Sequence, residues 1–222
     1  MNKLSMNPKI SSLSKCAVIG YGSWATAIVK LLCENESKVW WYVANPTVRE
    51  SLRSRGHNHK YLPTLTFRQE QIVVSDSLDE VVEAADIIIL ATPSAFLASV
   101  LEPLTVSLEG KFVVSAIKGI ISDGYQTVTE YIHERYGLPY DNLGVVTGPS
   151  HAEEVAQERL SYLTVACKSI ENAEELARKF STPYTFTRSS TDIYGLEYVG
   201  VFKNIYAMMV GVARGVGYGD NF

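Results

Sequence analysis

The stretch "AVIGYGSWATA", Ala17 to Ala27, ends an apolar run in two glycines and passes into a helix-like pattern at Ser23 and Trp24. Gly20, Gly22 and Ala25 fall at the three positions of a GxGxxG/A turn. In such a turn Gly20 makes the bend, Gly22 lets the backbone approach a pyrophosphate, and the next helix aims free N–H groups at it. A glycine turn that binds nothing is the simpler alternative, but its place after the first strand of an alternating chain favours a dinucleotide. Lys118, in "SAIKGI", stands just past a predicted central strand, where a lysine holds phosphate or carboxylate as a point charge. In "TGPSHA" the Gly–Pro pair fixes a turn, and Ser150 with nearby N–H groups meets an anion or caps the following helix. His151 has no partner identifiable from sequence and is read as structural.

Lys203 is the sharpest single residue. It sits within "LEYVGVFKNIYAMMVGVARG" (196–215), a segment apolar on nearly every side and so expected as a buried helix. A buried lysine is costly unless paired or shifted in pKa, so it is expected either to serve in proton transfer or to form an ion pair with Glu197. A nearby cation such as Lys118 would lower its pKa further. A membrane span is the rival reading of this segment, disfavoured by Lys203 and Asn204 at its middle.

Elements must bring these groups together. "KCAVIG", "KVWWYV", "IIILAT", "FVVSAI" and "LGVVTG" are short apolar runs of the kind that form strands buried on both faces. Between them run helical patterns such as "SWATAIVKLLCEN", "DSLDEVVEAA" and "YQTVTEYIHERY". The alternation predicts an α/β fold with a doubly wound, mainly parallel sheet. The glycine turn, "TPS" (92–94), Lys118 and "TGPSHA" then share the carboxyl edge where open sheets bind ligands. Residues 56–71 show little periodicity and read as a long surface loop, with His57 and His59 solvated rather than metal-bound. The end of the second strand, "YVANPTVRE", carries neither acid nor base at its tip. Arg49 is either a phosphate contact or a solvated surface residue, so NAD and NADP stay equally open.

The formal charge of −4 with a pI near 5.6 argues against a general nucleic-acid or membrane surface. Cys16, Cys33 and Cys167 are odd in number and far apart, which suits a reducing cytoplasm better than disulfides or zinc. The first fourteen residues lack the apolar core of a signal peptide and read as a polar lead-in.

Taken together, "GYGSWATA", "ATPS", "AIKGI", "GPSHAEE" and "VFKNIYAMMVGVARGVGYGDN" resemble the NAD(P)-dependent glycerol-3-phosphate dehydrogenases, in the family's order and over nearly the whole chain from Lys15. The resemblance implies a Rossmann-like domain over 15–190, after the lead-in 1–14, and the start of an all-helical substrate domain over 191–222. It implies reversible reduction of dihydroxyacetone phosphate to sn-glycerol 3-phosphate for phospholipid synthesis, with NAD or NADP, and a homodimer in the full-length form. Gly20, Gly22, Ser23 and Trp24 would meet the cofactor pyrophosphate and its surroundings, with Ala152 near the cofactor. Lys118 would lie between cofactor and substrate, Gly148 and Ser150 would touch substrate, Lys203 would be the proton donor and acceptor, and Asn204 would stand beside it as a further substrate contact.

Two departures from the family pattern stand out. Ala25 replaces the usual glycine, which the fingerprint tolerates. The chain ends at "GDNF", where the family continues into the rest of its helical domain with further substrate contacts; self-association or instability is expected from the apolar helix so exposed. A dinucleotide-binding module without turnover, and a β-hydroxyacid dehydrogenase with the same domain order, are the competing readings.

Overall fold

The computed structural model describes residues 9–10 and 15–219; most of the expected lead-in, and the chain's last three residues, lie outside them. The first half of the chain alternates strand and helix: β1 (Cys16–Ile19), α1 (Ser23–Asn35), β2 (Val39–Tyr42), α2 (Pro46–Arg55), β3 (Ile72–Ser75), α3 (Leu78–Ala84), β4 (Ile87–Leu90) and α4 (Ser94–Leu101). It continues through β5 (Phe112–Ser115), α5 (Val128–Tyr136), β6 (Leu143–Thr147) and α6 (Ala152–Ala156). Then come β7 (Ser161–Cys167), α7 (Ile170–Phe180), β8 (Thr185–Ser190) and α8 (Ile193–Gly215).

One eight-stranded sheet has the order β3-β2-β1-β4-β5-β6-β7-β8. Pairing is parallel from β3 through β6, β7 runs antiparallel to β6, and β8 pairs parallel with β7. The expected doubly wound, mainly parallel sheet is therefore present, and its topology is Rossmann-like. The chain builds outward from β1 in one direction and then returns to build from β4 in the other. The crevice between β1 and β4 is the switch point at which such sheets bind ligands.

Because side chains alternate across a strand, β1 feeds both cores. Cys16 and Val18 join α1 and α7 on one face, while Ala17 and Ile19 join α3, α4 and α5 on the other. The "YQTVTEYIHERY" helix begins later than its pattern suggests. Tyr125 is left-handed, and Thr127 caps α5 in a reciprocal box with Glu130.

Helix α8 departs from the burial that its apolar pattern suggests and agrees with the exposed apolar stripe expected of it in this chain. Ile193, Glu197 and Gly200 are buried, and Ile193 joins Val145 and Ala166 of the sheet. From Phe202 to Gly215 every residue except Ala213 is exposed, Lys203 and Asn204 included, because no other element covers this half of the helix among the described residues. Glu197 does not pair with Lys203. It accepts from the Thr129 N–H at 3.0 Å and from the Thr129 hydroxyl, so a carboxylate from α8 occupies the amino end of α5. Burial raises its pKa, with the hydrogen bonds from Thr129 and Thr127 acting against the rise. No helix among the described residues is long and apolar enough to cross a membrane.

Candidate active site

A cleft of about 460 Å³ opens at the carboxyl edge of the sheet, over the switch point. Gly20 follows β1 with φ 127°, and a Cβ there would collide with the backbone of Ala91, the residue after β4. Glycine is thus required for β1 and β4 to close at this point. Gly22 is different: its φ is −70°, and a Cβ would meet nothing within 4 Å. Neither backbone nor packing demands glycine there. The open space lies at the amino end of α1, where no side chain caps the helix and no acid occupies the first turn. Free N–H groups beside open space form a cradle for an anion.

Seven of the sequence-selected residues line this cleft: Gly22, Ser23, Trp24, Lys118, Ser150, Ala152 and Lys203. Trp24 is fixed by its indole N–H, which donates to the Ala116 carbonyl at 3.1 Å. Its ring lies under the Lys118 ammonium, 5.4 Å from Nζ to centroid, a cation–π contact. Lys118 also donates to the Gly148 carbonyl at 3.3 Å. Burial, and secondarily the charge of Lys203, hold the Lys118 pKa below the usual lysine value.

The Ser150 hydroxyl is buried and has no hydrogen-bond partner among the described residues. It does not cap α6, and neither does the side chain of His151, which holds the cap position and lines the cleft. A buried hydroxyl left unpaired at the cleft is poised for a ligand, since an unmet group there is costly. The orphaned hydroxyl and the open cradle at Gly22 together fit a phosphate-bearing dinucleotide and a small anionic substrate.

Three predicted residues do not line the cleft. Gly20 acts beneath it as the turn. Gly148 packs against β7, where a Cβ would strike the Tyr162 carbonyl, and it contributes its own carbonyl to Lys118. Asn204 is exposed on α8. Arg49 is not a solvated surface residue: it donates to the Val43 carbonyl at 3.0 Å and pairs with Asp76 at 2.9 Å, joining the ends of β2 and β3. Tyr61 lines the cleft although nothing in the sequence pattern marked it. Only the apolar Leu62, Leu65 and Phe67 around it hint that its loop is anchored.

Comparison with known proteins agrees with this geometry. Residues 15–173 match the family model for the N-terminus of NAD-dependent glycerol-3-phosphate dehydrogenase, and residues 192–222 match that for its C-terminus. The chain is 31% identical over 205 residues to a glycerol-3-phosphate dehydrogenase (NAD(P)+) of Bifidobacterium longum subsp. infantis, covering 92% of this chain. It spans only 62% of that relative's length. A glycerol-3-phosphate dehydrogenase structure from Saccharomyces cerevisiae superposes with a TM-score of 0.79 at 29% identity, over 93% of this chain and 65% of the other. One from Plasmodium falciparum gives a TM-score of 0.84 at 24% identity, over 93% and 60%, and speaks to the fold alone.

Proposed function

The chain belongs to the NAD-dependent glycerol-3-phosphate dehydrogenase family, and on that premise we propose that it interconverts dihydroxyacetone phosphate and sn-glycerol 3-phosphate. The observation that carries this reading is the convergence of Lys118 and Lys203 on the cleft beside the glycine turn. The nicotinamide dinucleotide, when bound, supplies or accepts the hydride at substrate C2. Gly20 shapes the turn, Gly22 and the first N–H groups of α1 hold the pyrophosphate, and Ser23, Trp24 and Ala152 line its surroundings. The Ser150 hydroxyl donates to the substrate, with Gly148 fixing Lys118 and Asn204 standing next to Lys203.

In the reducing direction Lys203 gives a proton to the C2 oxygen; in the oxidising direction it takes the hydroxyl proton. Lys118 stabilises charge on that oxygen and on the substrate phosphate. Either NAD or NADP serves this scheme. The same proposal divides the chain into the dinucleotide domain, 15–190, and the start of a helical substrate domain, 191–222. It places the protein in lipid metabolism in the cytoplasm, where three free cysteines suit a reducing medium, and as a homodimer in the full-length form.

The exposure of α8 around Lys203 favours one other reading, a dinucleotide-binding module without turnover. The deciding experiment is oxidation of NADH and of NADPH with dihydroxyacetone phosphate, run beside Lys203→Ala. Turnover that falls at least about a hundredfold in the variant supports the dehydrogenase. Dinucleotide binding without turnover supports the module.

A further inference from the structure

The loop between α2 and β3, expected as plain surface, is tied to the glycine turn at two points. Its base is closed where the Phe67 N–H donates to the Gly56 carbonyl at 2.7 Å. Phe67 packs edge-on against Trp41, with centroids 5.5 Å apart, and the Trp41 indole donates to the Gly20 carbonyl at 2.6 Å. The second tie is Asn58, which is fully buried. Its amide nitrogen donates to the Tyr21 carbonyl at 2.8 Å and to the Thr26 hydroxyl at 2.9 Å, and its oxygen accepts the Tyr61 N–H at 3.1 Å. The Thr26 hydroxyl in turn donates to the Gly22 carbonyl at 2.9 Å. One side chain thus joins both sides of the glycine turn to the backbone of Tyr61.

Tyr61 lines the cleft that also holds Gly22, and its hydroxyl has no hydrogen-bond partner among the described residues. Its ring lies 6.3 Å from that of Tyr21, and the Lys60 ammonium stands 5.5 Å from its centroid. A diphosphate seated on the amino end of α1 would keep acceptor oxygens free for a donor elsewhere on the cleft lining, where Tyr61 stands. A phenol donates to such oxygens, and hydrogen bonds to a charged acceptor are the stronger kind.

We propose that this loop is a wall of the dinucleotide site: Tyr61 donates to the cofactor diphosphate, and Asn58 is a positioning residue that holds Tyr61 and the glycine turn in register. This inference rests on the dinucleotide reading of the cleft. The test is equilibrium binding of NADH and NADPH, followed by the change in nicotinamide fluorescence, for wild type, Tyr61→Phe, Tyr61→Ala, Asn58→Ala and the double variant. Tyr61→Phe and Tyr61→Ala each weaken binding roughly tenfold with an unchanged melting temperature. Asn58→Ala also weakens it, and the double variant loses less than the sum, because Asn58 acts partly through Tyr61. If wild type binds but both Tyr61 variants stay within about twofold of it, the wall is wrong although the dinucleotide reading stands. If only Tyr61→Ala weakens binding, the hydroxyl contact is wrong. Strict additivity removes the positioning role of Asn58. If wild type binds neither dinucleotide, the reading beneath the inference fails with it. Should Asn58→Ala not fold, the Tyr61 variants still decide.

Discussion

At the scale of single residues, the two glycines of the turn do different work, and substitution separates them. Gly22→Ala keeps the fold, since its φ is ordinary and the added methyl enters open space, but it fills the cradle and weakens dinucleotide binding. Gly20→Ala combines a forbidden backbone conformation with a collision against Ala91, and destabilises the protein by about 3 kcal/mol or more. Thermal melting with NADH titration on both variants checks the pair; equal losses of stability would contradict the assignment. Both glycines are legible in sequence because the motif encodes backbone geometry locally. The surroundings of Lys203 are not, because whether an apolar helix is covered depends on what packs against it. Tyr61 was invisible for a related reason: its place is set by Asn58, whose partners are distant in the chain.

At the scale of elements, α8 is seated by its first two turns alone, and Glu197 is the polar part of that seat. Burial raises the Glu197 pKa above its ordinary value of 4.5, so the folded state binds this proton more readily than the unfolded chain. Its contribution is therefore fully present below the ordinary value and is lost as pH rises through the folded value. Glu197→Gln keeps an acceptor for the Thr129 N–H without the charge. The melting temperature of wild type minus that of the variant is expected to fall as pH rises above 4.5, the ordinary carboxyl value. Parallel curves over that range would exclude the linkage. Among the strands, β1, β2, β4, β5 and β6 announce themselves as apolar runs because both their faces are covered. β8, "TFTRSS", is a polar edge strand with Phe186 and Arg188 exposed, and β7 leaves Tyr162 exposed. Their burial pattern is too weak to be read without the neighbours that pair with them.

At the scale of the whole molecule, one sheet is covered on both faces, and the far half of α8 is a large apolar surface that no element among the described residues covers. Phe202, Ile205, Met208, Met209 and Val212 are all between 45% and 65% exposed, which no solitary soluble helix sustains without cost. Sedimentation is expected to show this 222-residue chain self-associating as its concentration rises. Met209→Glu with Val212→Glu shifts it toward monomer while NADH affinity stays within about twofold. A wild type that remains a stable monomer at high concentration would contradict this view of the helix.

The passage of α8 beside the cleft has one more consequence. A Cβ added at Gly200 would come within ordinary contact distance of Lys118, and Lys203 follows Gly200 by less than a turn. Seating the helix therefore brings a second ammonium toward the first, and the two repel. An anion between them converts that repulsion into two attractions. A phosphate ester would thus draw the helix down onto itself, and its departure would loosen the same contact: grip and release would arise from one pair of like charges.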